Sequence, residues 1–257
     1  MASLKNRKDQ LLFQLKRWSA WLPDQPEKPV SSAWPNGHNL TASSETPDLG
    51  FLPQIQRRRL TPLARAAIAV AWDCCPSGHQ IPTIFCSTHG ETSVCFNLLE
   101  QIAARQDVSP TQFTLSVHSG IAAMFSILTN NHAPYVVIAT NPENLTNALL
   151  EAYSFITETS EVLVVFYDQA IPEIYHPTTP TPSRLSALAL YLDKPDPRAS
   201  DTLSIHPSSH HLNKNDDVNA KLLENLIESI CNGDLVIHTG RFCWKLDSHL
   251  HNNSLTC

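Results

Sequence analysis

The sequence predicts an α/β protein, with helices packed on a largely parallel or mixed sheet. Three observations predict it. From Leu60 onward, apolar runs of strand length alternate with segments of helical spacing. Several of those short runs, such as Val162-Leu163-Val164-Val165-Phe166-Tyr167, are β-branched and aromatic enough to be buried strands. Hydrophobic residues make up 42% of the 257 residues and charged residues 16%, so one domain with tails can bury a substantial core.

Taken in order, the first fifty residues are rich in Pro, Ser, Asn and Trp and read mostly as arm or loop. The exception is a short amphipathic candidate over residues 10–21. An ordered core is expected to begin at Leu60-Thr61-Pro62, where Thr61 caps a helix, Pro62 suits its first position, and an Ala-rich run follows over 63–72. Residues 83–86 read as a strand, 91–104 as a helix and 113–117 as a strand. The pattern continues with a helix over 119–128, a strand over 135–139, a helix over 142–156 and a strand over 161–167. Further strands are expected at 186–192 and 235–238. Between those two, 195–217 reads as a polar loop and 218–231 as one amphipathic helix. No internal repeat is visible. The segment 119–128 has no charged residue on any face, which predicts a helix covered on all sides, by this chain's own elements or by a second polypeptide.

Composition excludes several functions. A net charge of −6, with Arg57-Arg58-Arg59 as the one dense basic run, disfavours nucleic-acid binding. That run is expected to serve structurally as a helix entrance, or else to contact an acidic partner such as a carrier protein or its phosphopantetheine phosphate. Uncharged apolar stretches stop well short of the roughly 20 residues that span a bilayer. Lys5, Arg7 and Lys8 precede Leu11, Leu12 and Phe13, but Gln14, Lys16 and Arg17 break the run before it reaches signal-peptide length, so a cytoplasmic protein is expected. Seven irregularly spaced cysteines read as reduced thiols, and adjacent Cys74 and Cys75 form no C-x-x-C pair. With seven glycines and neither a G-x-G-x-x-G nor a Walker pattern, no nucleotide cofactor is expected. His206, His210 and His211 lie in the polar loop, without a cysteine or helical spacing beside them, so no metal site is expected either.

Two constellations could carry chemistry. Cys86-Ser87-Thr88-His89-Gly90-Glu91 runs from a strand into a helix, the place where α/β sheets hold ligands, so Ser87, His89 and Glu91 are candidate pocket residues. The plainer alternative is a helix cap by Ser87 or Thr88, with Glu91 complementing the helix's positive end. The second, Ser116-Val117-His118-Ser119-Gly120, leads into the uncharged helix. Ser116 or Ser119 with His118 as base would make a hydrolase or acyltransferase pair, although the G-x-S-x-G elbow is not satisfied around either serine. A capping or hydrogen-bonding His118 is the plainer alternative.

In their order these motifs resemble the β-ketoacyl synthase-like N-terminal domain family. The carrying pieces are Arg57-Arg58-Arg59-Leu60-Thr61, Cys86 to Glu91, Ser109-Pro110-Thr111-Gln112-Phe113-Thr114-Leu115-Ser116-Val117-His118-Ser119-Gly120, Leu149-Leu150-Glu151-Ala152 and Val162 to Asp168, with Pro172 and Tyr175 after them. The resemblance covers about 31–246, which implies an arm over 1–30 and a tail over 247–257. It implies a thiolase-like half-fold, a mixed sheet packed with helices, in which the uncharged helix is the central-layer helix that a second half would cover. It also implies a role in acyl-chain elongation, for fatty-acid, aryl polyene or polyketide-type products. In ketosynthases a cysteine nucleophile precedes that helix. Here the matching position falls at Val117, or with a one-residue slip at Ser116 or His118, and none of these can form the thioester. The resemblance therefore implies a chain-length-factor-like accessory subunit, in a homo- or hetero-oligomer, whose partners are a ketosynthase subunit and an acyl carrier protein. The alternatives are the Ser/His enzyme or a purely structural interaction protein.

Overall fold

The computed structural model describes residues 10–23, 37–39, 47, 49–75, 78–139, 145–196, 198, 201–208, 221–234, 236–239 and 242–248. Its centre is a mixed nine-stranded sheet. The strands are β1 (Leu11–Trp21), β2 (Gly37–Asn39), β3 (Thr83–Ser87), β4 (Tyr135–Ala139), β5 (Glu161–Asp168), β6 (Ser186–Asp193), β7 (Asp201–Pro207), β8 (Val236–Thr239) and β9 (Phe242–Ser248). They run in the order β4-β3-β5-β6-β1-β7-β9-β8, with β2 beside β1. β3 pairs in parallel with both β4 and β5, whereas β5–β6, β6–β1, β1–β7 and the β9 pairings are antiparallel.

The helices are α1 (Gln54–Arg57), α2 (Pro62–Cys74), α3 (Thr92–Ala103), α4 (Pro110–Ser116), α5 (Gly120–Thr129), α6 (Thr146–Glu158) and α7 (Leu222–Asn232). α6 and α7 cover one face, burying Ala148, Leu149, Ala152, Leu226 and Ile230 against Ile84, Val164, Phe166 and Leu190. α2 and α5 cover the other, where Ala67, Ile68, Ala71 and Phe125 meet Phe85, Leu163, Val165 and Ala189. Small residues let α2 lie close to the sheet, and its start is as expected: Thr61 Oγ1 accepts from Ala64 N at 3.0 Å, with Pro62 next. The strands expected at 83–86, 135–139, 161–167 and 186–192 and the helices at 91–104, 119–128 and 218–231 are present, with ends shifted by a few residues.

Four expectations are corrected. Residues 10–21 are no amphipathic segment of an arm: β1 sits inside the sheet between β6 and β7. Its register shifts between Leu15 and Arg17, and residues 18–21 are buried on both faces, so no period of two survives in the sequence. Residues 113–117 are not a strand but the end of α4, because Ser109 Oγ accepts from Gln112 N and Pro110 opens the first turn. The apolar alternation of Phe113, Leu115 and Val117 misled there; Phe113 and Val117 are exposed. Inside the expected polar loop 195–217 lies β7, whose Leu203 and Ile205 point to the α7 side while His206 bonds Ser204 Oγ. His210 and His211 lie outside the described residues. The tail expected from 247 is likewise corrected in part, since β9 runs through Asp247 to Ser248.

Behind β6, Glu224 of α7 is only 2% exposed and accepts from Ser183 N, Ser183 Oγ, Arg184 N and Arg184 Nε. Arg184 also donates to Glu228 and to the Pro23 carbonyl. Glu224→Ala strands these donors, and urea unfolding is expected to show a loss of about 3 kcal/mol. Surface Glu158→Ala, as a control, is expected to stay within about 0.5 kcal/mol of the parent.

Candidate functional site

The candidate residues gather at the carboxyl ends of the parallel strands β3, β4 and β5, where open α/β sheets leave backbone groups free to hold ligands. Ser87 ends β3 and Asp168 ends β5. Asp168 is buried and holds the turn after β3: its Oδ1 accepts from Ser87 Oγ at 2.8 Å and from His89 N at 3.1 Å, and Thr88 N lies 3.0–3.1 Å from both carboxylate oxygens. Burial pushes the Asp168 carboxyl up, against the pull of the Thr88 and His89 amides and the Ser87 hydroxyl. Ser87 Oγ in turn accepts from Gly90 N at 2.7 Å. The turn is thus spent on its own hydrogen bonds, and Ser87 closes the turn before α3 rather than capping the helix, whose start carries no side-chain cap. His89 reaches outward, with Nε2 3.2 Å from the Pro180 carbonyl.

Gly90 brings the two constellations together. Its φ of +52° lies in the left-handed region, and a Cβ there would come within 2.5 Å of His118 Nδ1. His118 therefore packs with its Nδ1 edge against the turn that carries Ser87 and His89, although 28 residues separate it from Gly90. It sits in the short link between α4 and α5, with Nε2 3.4 Å from the Ile138 carbonyl of β4. Ser116 Oγ donates to the Phe113 carbonyl at 2.8 Å, and Ser119, the exposed residue before α5, makes no side-chain cap. No hydrogen bond between either serine and His118 is present among the described residues.

Glu91 turns inward and is 3% exposed; Thr61 Oγ1 donates to its Oε1, and its Oε2 has no hydrogen-bond partner among the described residues. Burial pushes this carboxyl up to about 7, against the pull of the Thr61 hydrogen bond. The buried thiols Cys74, Cys75 and Cys86 are held in their neutral form. Burial raises Cys86, with the charge of Asp168 adding to the effect, and raises Cys74 and Cys75. Among the described residues no cluster of three His, Cys, Asp or Glu side chains could hold a metal ion.

A cleft of about 710 Å3 opens beside the site between Arg58, Arg59, Leu60 and Thr61 on one wall, Val94, Asn97 and Gln101 of α3 on another, and Ser109, Gln112 and Leu115 on the third. None of the six candidate residues lines it, although Thr61 and Leu115 adjoin them. Sequence reasoning missed this cleft and gave Asp168 no role. An acid closing an otherwise apolar buried strand was the available signal.

A thiolase-like half-fold, with its strand-end turn and uncharged helix, defines the class of protein. The sequence matches the family described as beta-ketoacyl synthase, N-terminal domain, over residues 31–245, and the chain belongs to that family. Among solved structures it is similar to a ketosynthase (ApeO) in complex with its chain length factor (ApeC) from Xenorhabdus doucetiae, with 21% identity and a TM-score of 0.68. That match covers 92% of this chain and 99% of the other. The ishigamide ketosynthase/chain length factor is 10% identical at a TM-score of 0.50, over 61% of this chain and 51% of that one. At these identities the likeness establishes the fold. No curated protein matches.

Gly90→Ala is expected to destabilise the chain by about 2 kcal/mol, from the left-handed backbone and the contact with His118. Adding His118→Ala should return the steric part, read as a positive coupling in a double-mutant cycle of unfolding free energies. Asp168→Asn should cost about 2–3 kcal/mol by thermal or urea unfolding, because an amide cannot accept all the donors that converge there.

Proposed function

We propose that this chain is a ketosynthase-like accessory subunit, chain-length-factor-like in role, that serves acyl-chain elongation beside a ketosynthase and carries no condensing nucleophile of its own. One observation carries the reading. At the junction into α5, where the family resemblance expects a cysteine, residues 116–119 are Ser-Val-His-Ser, and no cysteine occurs between Cys95 and Cys231. A thioester intermediate needs a thiolate within reach of the acyl carbonyl. The nearest candidates are a buried Cys86, disfavoured as thiolate, and an exposed Cys95 on α3.

The surface supports assembly with a partner. β4 ends the strand order and pairs only with β3 among the described residues, which leaves one backbone edge for another strand. Beside it α5 buries Ile121, Ala122 and Phe125 but leaves Ile127 72% exposed, and Phe113 of α4 and Val117 just after it are exposed. Thus this chain's described elements cover one side of the uncharged helix and leave an apolar side open. A ketosynthase of the same half-fold would fit that face; the solved structure to which this chain is similar over 99% of that chain is of a ketosynthase in complex with its chain length factor. An acyl carrier protein, the acidic partner, would meet Arg58 and Arg59, which are exposed on the rim of the cleft. No helix among the described residues is long and apolar enough to cross a membrane.

Co-expression with the ketosynthase encoded nearest to it is expected to yield a complex by size-exclusion chromatography. The pair Ile127→Lys and Tyr135→Lys should weaken that complex at least tenfold, about 1.4 kcal/mol, while the isolated chain keeps its melting temperature. An unchanged affinity in the double variant would move the interface elsewhere. A chain that stays monomeric beside the ketosynthase would remove the subunit reading.

A further inference from the structure

Asp168 ends β5 and Ser186 begins β6, and the antiparallel register sets the two directly opposite each other on one face of the sheet. That face is the α6–α7 side, because Phe166 and Leu188, each two residues further along its strand, belong to the core there. Both Asp168 and Ser186 are buried. The two carboxylate oxygens are not used alike. Oδ1 accepts from Ser87 Oγ, Thr88 N and His89 N, whereas Oδ2 accepts from Thr88 N alone. Ser186 Oγ and Thr88 Oγ1 are buried with no hydrogen-bond partner among the described residues. Either hydroxyl could have donated to Oδ2, and neither does. Oxygens that share a cation stand apart in this way, since each turns a lone pair, and none a proton, to the same centre.

We propose that Asp168 Oδ2, Ser186 Oγ and Thr88 Oγ1 hold a monovalent alkali cation at the carboxyl ends of β3 and β5. Charge argues for an ion. Burial pushes the Asp168 carboxyl up, and among the described residues no lysine or arginine is paired with it. Arg184, two residues before Ser186, is held by Glu224 and Glu228, and the His89 ring is turned to the Pro180 carbonyl. A buried carboxylate left without a cationic side chain is stabilised by a small ion among its oxygens.

The donor set argues for the kind of ion. One carboxylate and two hydroxyls are hard oxygen ligands with a single negative charge between them. Calcium takes more carboxylates, and transition metals take imidazole or thiolate. No cluster of three His, Cys, Asp or Glu side chains for such a metal exists among the described residues. Bound there, the ion extends what Asp168 already does: the carboxylate ties the turn after β3 to β5, and the ion adds β6, so that three adjacent strands are fastened at one point. The site belongs to the chain by itself, and no partner subunit is needed to fill it.

Thermal unfolding of the full chain tests it, in the chlorides of lithium, sodium, potassium, rubidium and tetramethylammonium at one ionic strength. One alkali ion is expected to raise the melting temperature by about 3 °C or more over tetramethylammonium, with single-site saturation and the others ranked by size. Ser186→Ala should weaken that ion's apparent affinity about tenfold, Asp168→Asn should abolish the response, and Ser154→Ala on the exposed side of α6 should keep it. A crystal grown with thallium(I) should show an anomalous peak between Asp168 Oδ2 and Ser186 Oγ. Equal melting temperatures in all five salts, or a response that survives both site variants, overturns the proposal. So does a water without anomalous signal at that position, or stabilisation by calcium or magnesium alone. Should Asp168→Asn not fold, Ser186→Ala, which removes a single oxygen, decides by itself.

Discussion

The Asp168 carboxylate is the contact on which the candidate site depends. It draws the hydroxyl of Ser87 and the amides of Thr88 and His89 onto the end of β5, and so fixes the direction in which the chain leaves β3. Gly90, Glu91 and the start of α3 follow from that direction, and the space left at Gly90 is the space His118 fills. A buried acid is accommodated there by three donors, two of them backbone amides held by the turn, which need little reorganisation. Two motifs far apart in sequence become one surface through this single side chain.

Elements whose signals are local were legible in the sequence. Thr61-Pro62 before an Ala-rich run marks a helix start by cap chemistry alone, and β5 is apolar on both faces because both faces are covered. Elements whose environment is set at long range were not. β1 is recognised only by its pairing with β6 and β7, which lie more than 150 residues later, and its register shift hides the alternation that would reveal it. α4 shows the reverse conflict: Ser109-Pro110 signals a helix, but the β-like composition of 113–117 outweighed it when read alone. Of the site, Ser87, His89, Glu91 and His118 were legible as candidates from their place at strand–helix junctions. That Gly90 and His118 touch, and that Thr61 reaches Glu91, depend on tertiary packing that no spacing reveals.

The uncharged helix α5 joins fold to function. Its Ile121, Ala122 and Phe125 side is absorbed by α2 and the sheet, while Ile127 faces outward next to the open edge of β4. An apolar helix with one bare side suits a fold that is half of a larger arrangement, and membership in the beta-ketoacyl synthase N-terminal domain family gives that arrangement a concrete form. The hydroxyl and imidazole groups at its start can accept and donate hydrogen bonds to a neighbouring chain or an acyl carbonyl. They lack the soft, low-pKa sulfur that acyl transfer between thioesters exploits.

The central claim is that this chain carries no acyl group covalently. Intact-mass spectrometry after incubation with acyl- and malonyl-thioesters of several chain lengths tests it most directly. The account predicts an unchanged mass for this chain, with any acyl adduct found on the ketosynthase beside it. A stoichiometric acyl adduct on this chain, lost on Ser116→Ala or Ser119→Ala, would contradict it.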